Sequence, residues 1–230
     1  MASEAVPEPV TRERGKTLRA PVILDLLREE LDDATIALHF TTRWELLAAT
    51  MLSAQSTDVK VNEVTAVLFA ELPGPEAVAA APLERIEGLI GSLGLFRQKA
   101  KNLKASAAII LEEHGGEVPA TMEDLTALPG VARKTANVVL SNGFGINAGV
   151  VVDTHVMRLS RRLRFTRAED VKQIERDLMR LFPREQWLEV ADLLIHHGRR
   201  TCFARAPRCE DCVIEPLCPS SQEAGLTDKR

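Results

Sequence analysis

Apolar residues recur at helical spacing along most of the chain, and the alternation of apolar and polar residues that is typical of strands is nearly absent. The segment Arg97–His114 shows the helical pattern best, because its apolar residues return every three or four positions. Thr42 followed by Glu45 is typical of a helix N-terminus, and so is Thr121 followed by Asp124. The pattern predicts an all-α protein.

Further helices are expected on both sides of this long segment. The polar stretch Leu52–Asp58 and the glycine-containing loop Gly91–Phe96 separate predicted helices, and Pro73 and Gly74 mark another break. The remaining expected helices cover residues 21–31, 44–53, a stretch through 67–69, 76–80, 83–90, 154–163, 168–181 and 184–197.

The stretch from Leu128 to Val156 carries the most informative local pattern. It opens with a turn, Leu128 to Val131, in which Gly130 permits a backbone that other residues resist. A helix is expected from Ala132 to Leu140, and the glycine-rich segment 142–145 is expected to stop it. An apolar extended run then leads to Asp153, which is expected to be the N-cap of the next helix.

Two residues with possible chemistry therefore lie at two helix starts. Lys134 is expected in the first turn of one helix, where a cation is unfavourable, and burial would also favour the neutral, nucleophilic amine. The N–H groups of the turn and helix start suit a phosphate. With the carboxylate of Asp153, these features suggest chemistry on a nucleic-acid sugar. On spacing alone, a solvated lysine and an ordinary cap would also explain them.

Composition places the chain among ordinary globular proteins. Of its 230 residues 45% are hydrophobic and 27% charged, and no apolar run reaches the length of a membrane span. The first residues lack the hydrophobic region of a secretory signal, so we expect an intracellular protein.

The net charge of −4 is weak evidence against a nucleic-acid binder, but the basic residues are clustered. They gather without acids in residues 97–104, 158–167 and 199–208. In the first of these clusters Lys99, Lys101 and Lys104 are expected to form a basic helix face that contacts DNA phosphates. Each cluster could equally be a solvated helix face.

Four cysteines lie within seventeen residues near the C-terminus: Cys202, Cys209, Cys212 and Cys218. So compact a group predicts a metal site. Ligation by thiolates alone suits either zinc or an iron–sulfur cluster, and the residue types do not choose between them. The arginines at 199, 200, 205 and 208 could offset a negative cluster or reach DNA phosphates.

LPGVARKTANVVL followed by VDTHV resembles the helix-hairpin-helix signature of the endonuclease III family of DNA glycosylases. The family's pattern usually has a second glycine where this chain has Ala132. The spacing C-x6-C-x2-C-x5-C is similar to that of the family's cluster loop, which implies a [4Fe–4S] cofactor held by the four cysteines.

The resemblance implies a two-lobed fold with an active site in the cleft between the lobes. Residues 36–146 would form a six-helix domain, and residues 17–35 and 147–230 a discontinuous iron–sulfur domain. Residues 1–16 are polar and contain proline, so their composition predicts a disordered tail. The implied activity is that of a monomeric, bifunctional glycosylase and apurinic/apyrimidinic (AP) lyase. Its partner would be double-stranded DNA that contains damaged pyrimidines or abasic sites.

The resemblance also implies individual roles. Lys134 would attack C1′ of the damaged nucleotide, and Asp153 would stabilise the charge that develops on the sugar. Gln55 and Leu95 would fill the space that the displaced base leaves. The other implied DNA contacts are Lys99, Leu128, Gly130, Ala132 and His155.

Three other functions remain open from the sequence. They are a monofunctional mismatch or adenine glycosylase, a non-catalytic helix-hairpin-helix DNA-binding module, and an iron–sulfur redox sensor. Gln55 could also be a simple helix-end residue, Leu95 a buried loop anchor, and His155 a packed core histidine.

Overall fold

The computed structural model describes residues 10–221, and in these residues it contains eleven α-helices, two short 3₁₀ turns and no strand. The prediction of an all-α protein is confirmed. The helices are α1 (Lys16–Glu30), α2 (Arg43–Leu52), α3 (Asp58–Glu71), α4 (Gly74–Ala80), α5 (Leu83–Ile90), α6 (Phe96–His114), α7 (Met122–Ala127), α8 (Arg133–Phe144), α9 (Thr154–Arg162), α10 (Val171–Leu181) and α11 (Trp187–Arg200).

Side-chain caps fix several helix starts where the sequence predicted them. The Thr42 hydroxyl accepts the amide of Glu45, and the Glu45 carboxylate accepts the amide of Thr42, which completes a capping box at the start of α2. Thr121 caps α7 by accepting the amide of Asp124. Each such cap satisfies backbone N–H groups that the helix itself leaves without partners.

The expected end of α8 was partly wrong. The helix continues through residues 142 and 143 to Phe144 and ends at Gly145, which has the left-handed φ of 66° that glycine adopts at helix ends. Gly143 has a packing role instead, because a Cβ there would lie 3.2 Å from Leu46 of α2. Arg43 of α2 donates to the Gly143 carbonyl at 2.9 Å. Gly143 therefore permits close approach of two helices and does not end one.

The chain divides into two compact units. One of them is the continuous segment Ile36–Ala148, which holds the seven helices α2–α8, counting the short α7. Its core is almost entirely aliphatic and includes the fully buried side chains Leu46, Leu47, Leu52, Leu68, Ile86, Ile90, Leu103, Ile110 and Leu125.

The second unit combines the segments up to Thr35 and from Gly149 onward. Buried Arg19 of α1 joins them by donating to the carbonyls of Leu163 and Leu217. The expected disordered tail falls partly outside the described residues, at 1–9. In the described part of this tail, Arg12 forms a salt bridge with Glu215 at 3.2 Å.

None of the helices described for residues 10–221 is both long enough and apolar enough to cross a membrane.

Candidate functional site

The hairpin between α7 and α8 is built on a tight turn. Buried Leu128 accepts the amide of Val131 at 3.1 Å, and Gly130 has a φ of +81°. A Cβ at Gly130 would lie only 2.5 Å from the side-chain nitrogen of Asn102 on α6. Ser106 of α6 donates to the Pro129 carbonyl at 3.1 Å. Helix α6 thus packs against the hairpin, and a side chain at residue 130 would require Asn102 to shift.

Helix α8 begins without a side-chain cap. Its N-cap is Ala132, which is exposed and has φ −88° and ψ 166°, a conformation that any L-residue adopts without strain. The glycine that the family usually has here is therefore not required by the backbone. Lys134 is the second helical residue, and its side chain is exposed.

Asp153 is the N-cap of α9, as predicted. Its Oδ1 accepts the amides of both His155 and Val156 at 2.8 Å. The cap uses only this oxygen, so its hydrogen bonds fix the direction of the carboxylate.

His155 is half-buried beside Arg158, whose guanidinium nitrogen lies 3.2 Å from the imidazole Nδ1. Burial lowers the pKa of His155, and the charges of Arg158 and Arg199 lower it further, although Asp153 opposes them. We conclude that the imidazole is neutral at pH 7. Its packing is close, since a Cβ at Gly198 would lie 3.0 Å from Nδ1.

Gln55 and Leu95 share an unusual backbone conformation. Both are exposed, and they have left-handed φ angles of 56° and 58°. Such a conformation costs an L-residue roughly 1–3 kcal/mol and persists only where the surroundings enforce it. The alternative that Leu95 is a buried anchor is wrong, because 62% of its surface is exposed. The two loops also lie close together, since a Cβ at Gly94 would lie 3.6 Å from the Gln55 carbonyl oxygen.

The expected basic face of α6 is wrong for two of its three lysines. Lys99 is only 7% exposed, and its Nζ donates to the Leu52 carbonyl at 2.8 Å and the Ser56 hydroxyl at 3.0 Å. The Nζ of Lys104 donates to the carbonyls of Ala79 and Ala81 at the end of α4. Both lysines are positioned by backbone groups far away in sequence, so helical periodicity could not reveal these contacts. Lys101 remains exposed.

The four cysteines form no disulfide and line one cavity of about 630 Å³. Burial raises the pKa of the Cys212 thiol to about 12 and that of Cys218 to about 11, and the other cysteines add to both shifts. Four thiols around one space, in which charge on Cys212 and Cys218 is disfavoured, fit a cationic group that stabilises thiolates. Among residues 10–221, no three His, Cys, Asp or Glu side chains have the geometry to hold one metal ion.

Comparison with known proteins identifies the family. The family model for the HhH-GPD superfamily base excision DNA repair protein matches residues 48–184. The chain is 52% identical to endonuclease III of Synechocystis sp. over 208 residues, 90% of this chain and 95% of the relative. It is 43% identical to endonuclease III of Escherichia coli (strain K12) over 204 residues, 89% of this chain and 96% of the relative.

The chain belongs to the endonuclease III family. It is therefore a DNA glycosylase and AP lyase of base excision repair, as the hairpin motif predicted. The family membership does not favour a non-catalytic DNA-binding module or a redox sensor.

The solved structures agree with this assignment. A trapped endonuclease III–DNA covalent intermediate matches with a TM-score of 0.85 and 40% identity, over 91% of this chain and 98% of that one. A thermostable thymine-DNA glycosylase also matches, with a TM-score of 0.81 over 91% of this chain and 100% of that one. Its 22% identity shows a shared fold only.

Two side chains that contact the cysteines of this chain were not predicted from the sequence. Arg162 Nη1 donates to Cys202 Sγ at 3.3 Å, and buried His197 places Nε2 3.5 Å from Cys212 Sγ. Burial lowers the pKa of His197 to about 4, so the ring is neutral. Its other nitrogen lies 3.3 Å from Glu30 of α1. Only the fold brings α1, α9 and α11 to the cysteine loop, so no local sequence signal could have identified these contacts.

Proposed function

We propose that this endonuclease III relative removes oxidised or otherwise damaged pyrimidines from duplex DNA and then cuts the strand, with Lys134 as the nucleophile. One observation carries the proposal: Lys134 is exposed in the first turn of α8, directly after the hairpin. A 40% identical endonuclease III has been trapped as a covalent intermediate with DNA, which supports covalent chemistry here.

The proposed reaction begins with attack of the neutral Lys134 amine on C1′ of the damaged nucleotide. A bond forms between Nζ and C1′, the glycosidic bond breaks, and the departing base takes up a proton. Ring opening gives a Schiff base, which acidifies the C2′ hydrogens. Loss of one of them expels the 3′ phosphate by β-elimination, and hydrolysis then frees the lysine.

Asp153 is proposed to stabilise the positive charge that develops on the sugar and to assist proton transfer. The geometry supports this role because the cap occupies only Oδ1. His155, held beside Arg158, is proposed to shape this part of the site.

DNA binding is assigned to the hairpin and the two strained loops. The uncapped start of α8, with Leu128, Gly130 and Ala132, is proposed to bind a phosphate through backbone N–H groups. The damaged base must leave the stack before Lys134 can reach C1′. Gln55 and Leu95 are proposed to enter the space that it leaves, because both are exposed on loops that lie close together.

The four cysteines are proposed to hold a [4Fe–4S] cluster. All four line one cavity, and their match to the family's spacing supports this cofactor over a single zinc ion. With four protein ligands the bound cluster would leave no iron open to substrate, so it would supply structural stabilisation. Purified protein should contain about four iron and four sulfide per chain. One zinc per chain without iron would contradict the assignment.

Borohydride trapping tests the nucleophile. Wild-type protein should form a covalent adduct with duplex DNA that carries an oxidised pyrimidine. Lys134→Gln should abolish the adduct while binding persists, because the N–H groups of the hairpin remain. Lys60→Gln, which alters a lysine of α3 paired with Glu63, is the matched control and should still trap. Base release without any trapping would instead indicate a monofunctional glycosylase.

Asp153→Asn tests the second role. Asn also caps helices well, so the fold should be retained. Base excision should fall on the order of a hundredfold, while lyase action on a pre-formed abasic site should fall less, because no base has to leave there. Normal excision by this variant would reduce Asp153 to a helix cap.

A further inference from the structure

The two exposed side chains proposed to enter the DNA stack are held in strained conformations, and one buried residue contacts the loops of both. We define the wedge loops as residues 53–57 and 91–95. Of the non-glycine residues described, only four have a left-handed φ, and Gln55 and Leu95 are two of them. Neither side chain is buried, so their own packing does not explain why these conformations persist.

Lys99 links the two wedge loops. Its backbone amide donates to the Leu95 carbonyl at 3.0 Å, and this hydrogen bond closes the first turn of α6 next to Leu95. Its Nζ donates to the carbonyl of Leu52, at the end of α2, at 2.8 Å and to the hydroxyl of Ser56, in the other wedge loop, at 3.0 Å. Those two acceptors flank Gln55 in sequence. A single residue is therefore hydrogen-bonded to both loops.

Burial lowers the pKa of Lys99, but its position at the end of α2 favours the charged form. Leu52 is the last residue of α2, so its carbonyl has no partner within that helix, and the C-terminal end of a helix favours positive charge. The ammonium group of Lys99 thus caps α2 and fixes the point at which the chain leaves for Gln55. A shorter or apolar side chain would leave the Leu52 carbonyl without this donor.

We propose that Lys99 is a positioning residue that locks the two wedge loops together, so that Gln55 and Leu95 enter DNA as one preformed pair. The inference rests on the wedge role proposed above and goes beyond it. It replaces the phosphate contact expected for Lys99 with a contact inside the protein. Lys99 touches neither the substrate nor the reacting atoms, and it acts through the loops.

The test separates breaking of the DNA stack from the chemical steps. One probe is a duplex with an oxidised pyrimidine opposite 2-aminopurine, whose fluorescence rises when it becomes unstacked. The second probe is a single-stranded oligonucleotide with an abasic site, which needs no wedge. Excision and β-elimination are measured in single turnovers at saturating enzyme, with the cluster-loaded protein.

Lys99→Met should lower duplex excision on the order of tenfold or more and remove most of the fluorescence rise, because a small misplacement of a positioned group is costly. Cleavage of the single-stranded abasic site should change little. Lys104→Met is the matched control, since Lys104 lies on the same helix and also caps a helix end, at α4. It should leave the ratio of the two activities unchanged.

Equal losses on both probes, or an equal change of the ratio in Lys104→Met, would overturn the inference and leave Lys99 a stabilising residue. If Lys99→Met does not fold, Ser56→Ala carries the test, because it removes one acceptor from an accessible loop. Duplex excision should again fall more than cleavage of the single-stranded abasic site, but by a smaller factor. Equal losses of the two activities would overturn the inference.

Leu95→Ala separates this inference from the wedge role. If it slows duplex excision selectively while Lys99→Met does not, the wedge role stands and the positioning role fails. If Leu95→Ala changes neither duplex excision nor fluorescence, both fail.

Discussion

The start of α8 offers a substitution that should stabilise the protein and weaken its DNA binding at once. Ala132 has the backbone of a capping residue but no side chain to cap with. Its φ and ψ of −88° and 166° lie close to those of Thr57, at −78° and 147°, and Asp153, at −103° and −171°, both of which cap helices here. Ala132→Asp should therefore place a carboxylate on the amides of Lys134 or Thr135 without rearranging the backbone.

The expected magnitudes follow from this geometry. An Asp N-cap is worth about 1 kcal/mol more than Ala, which corresponds to roughly 2–4 °C in Tm for a protein of this size. The same carboxylate would occupy N–H groups that we assign to a DNA phosphate. Loss of one charge-assisted hydrogen bond, about 1.5–3 kcal/mol, weakens binding by roughly 10- to 100-fold.

The assay pairs thermal unfolding with binding to a duplex that carries an uncleavable abasic analogue. Gly15→Asp is the matched control, because Gly15 is the uncapped N-cap of α1 and a Cβ there meets nothing within 4 Å. It adds the same charge at another helix start and should leave affinity within about threefold, roughly 0.7 kcal/mol. A stabilised Ala132→Asp protein with unchanged affinity would refute the phosphate site. A destabilised one would refute the cap geometry.

Three further outcomes follow from the structure. Gly130→Ala should lower the free energy of unfolding by about 1–3 kcal/mol in denaturant titrations, and by more than Gly115→Ala, because only the Cβ at 130 meets a neighbour. Burial raises the pKa of Asp192 to about 7, so its ionisation destabilises the fold as pH rises from about 4 to 7. Asp192→Asn should therefore raise Tm at pH 8, and an equal rise in Tm at pH 4 would contradict this. Cys209→Ser should reduce iron content and folded yield together, and a stable, iron-free protein would separate ligation from folding.

Much of the fold could be predicted from the sequence because helices are local. Capping residues such as Thr42 and Asp153 mark helix starts, and the apolar stripe of α6 predicts the length of that helix to within one residue. The end of α8 was missed because Gly143 resembles a stop signal locally. Its role depends on Leu46, nearly a hundred residues earlier.

In the candidate site, too, local features could be predicted and long-range contacts could not. The positions of Lys134 and Asp153 at two helix starts were predicted, whereas the burial of Lys99 was not. A lysine on an amphipathic helix is usually solvated, and only the fold shows that α2 ends within reach of its Nζ. The left-handed backbones of Gln55 and Leu95 were also beyond prediction, because neither residue type favours them.

Some basic residues of this chain make contacts inside the protein and others are proposed to face DNA, and clustering in the sequence does not separate the two groups. Many of them donate to backbone carbonyls inside the protein: Arg19, Lys99, Lys104, Arg158 and Arg162. Arg200, expected near the cluster or a phosphate, is paired with Asp33 at 2.7 Å.

Cations that are held in this way release no counterions when DNA binds. The salt dependence of affinity should therefore reflect fewer phosphate contacts than the three basic clusters suggest. Lys104→Met should leave the slope of log K against log salt unchanged. Replacement of exposed Lys101 by Ala should reduce that slope by about one if Lys101 contacts a phosphate. A reduced slope for Lys104→Met would show that its carbonyl contacts are exchanged for phosphate on binding. In that case the division between structural and DNA-facing cations would hold only for the free protein.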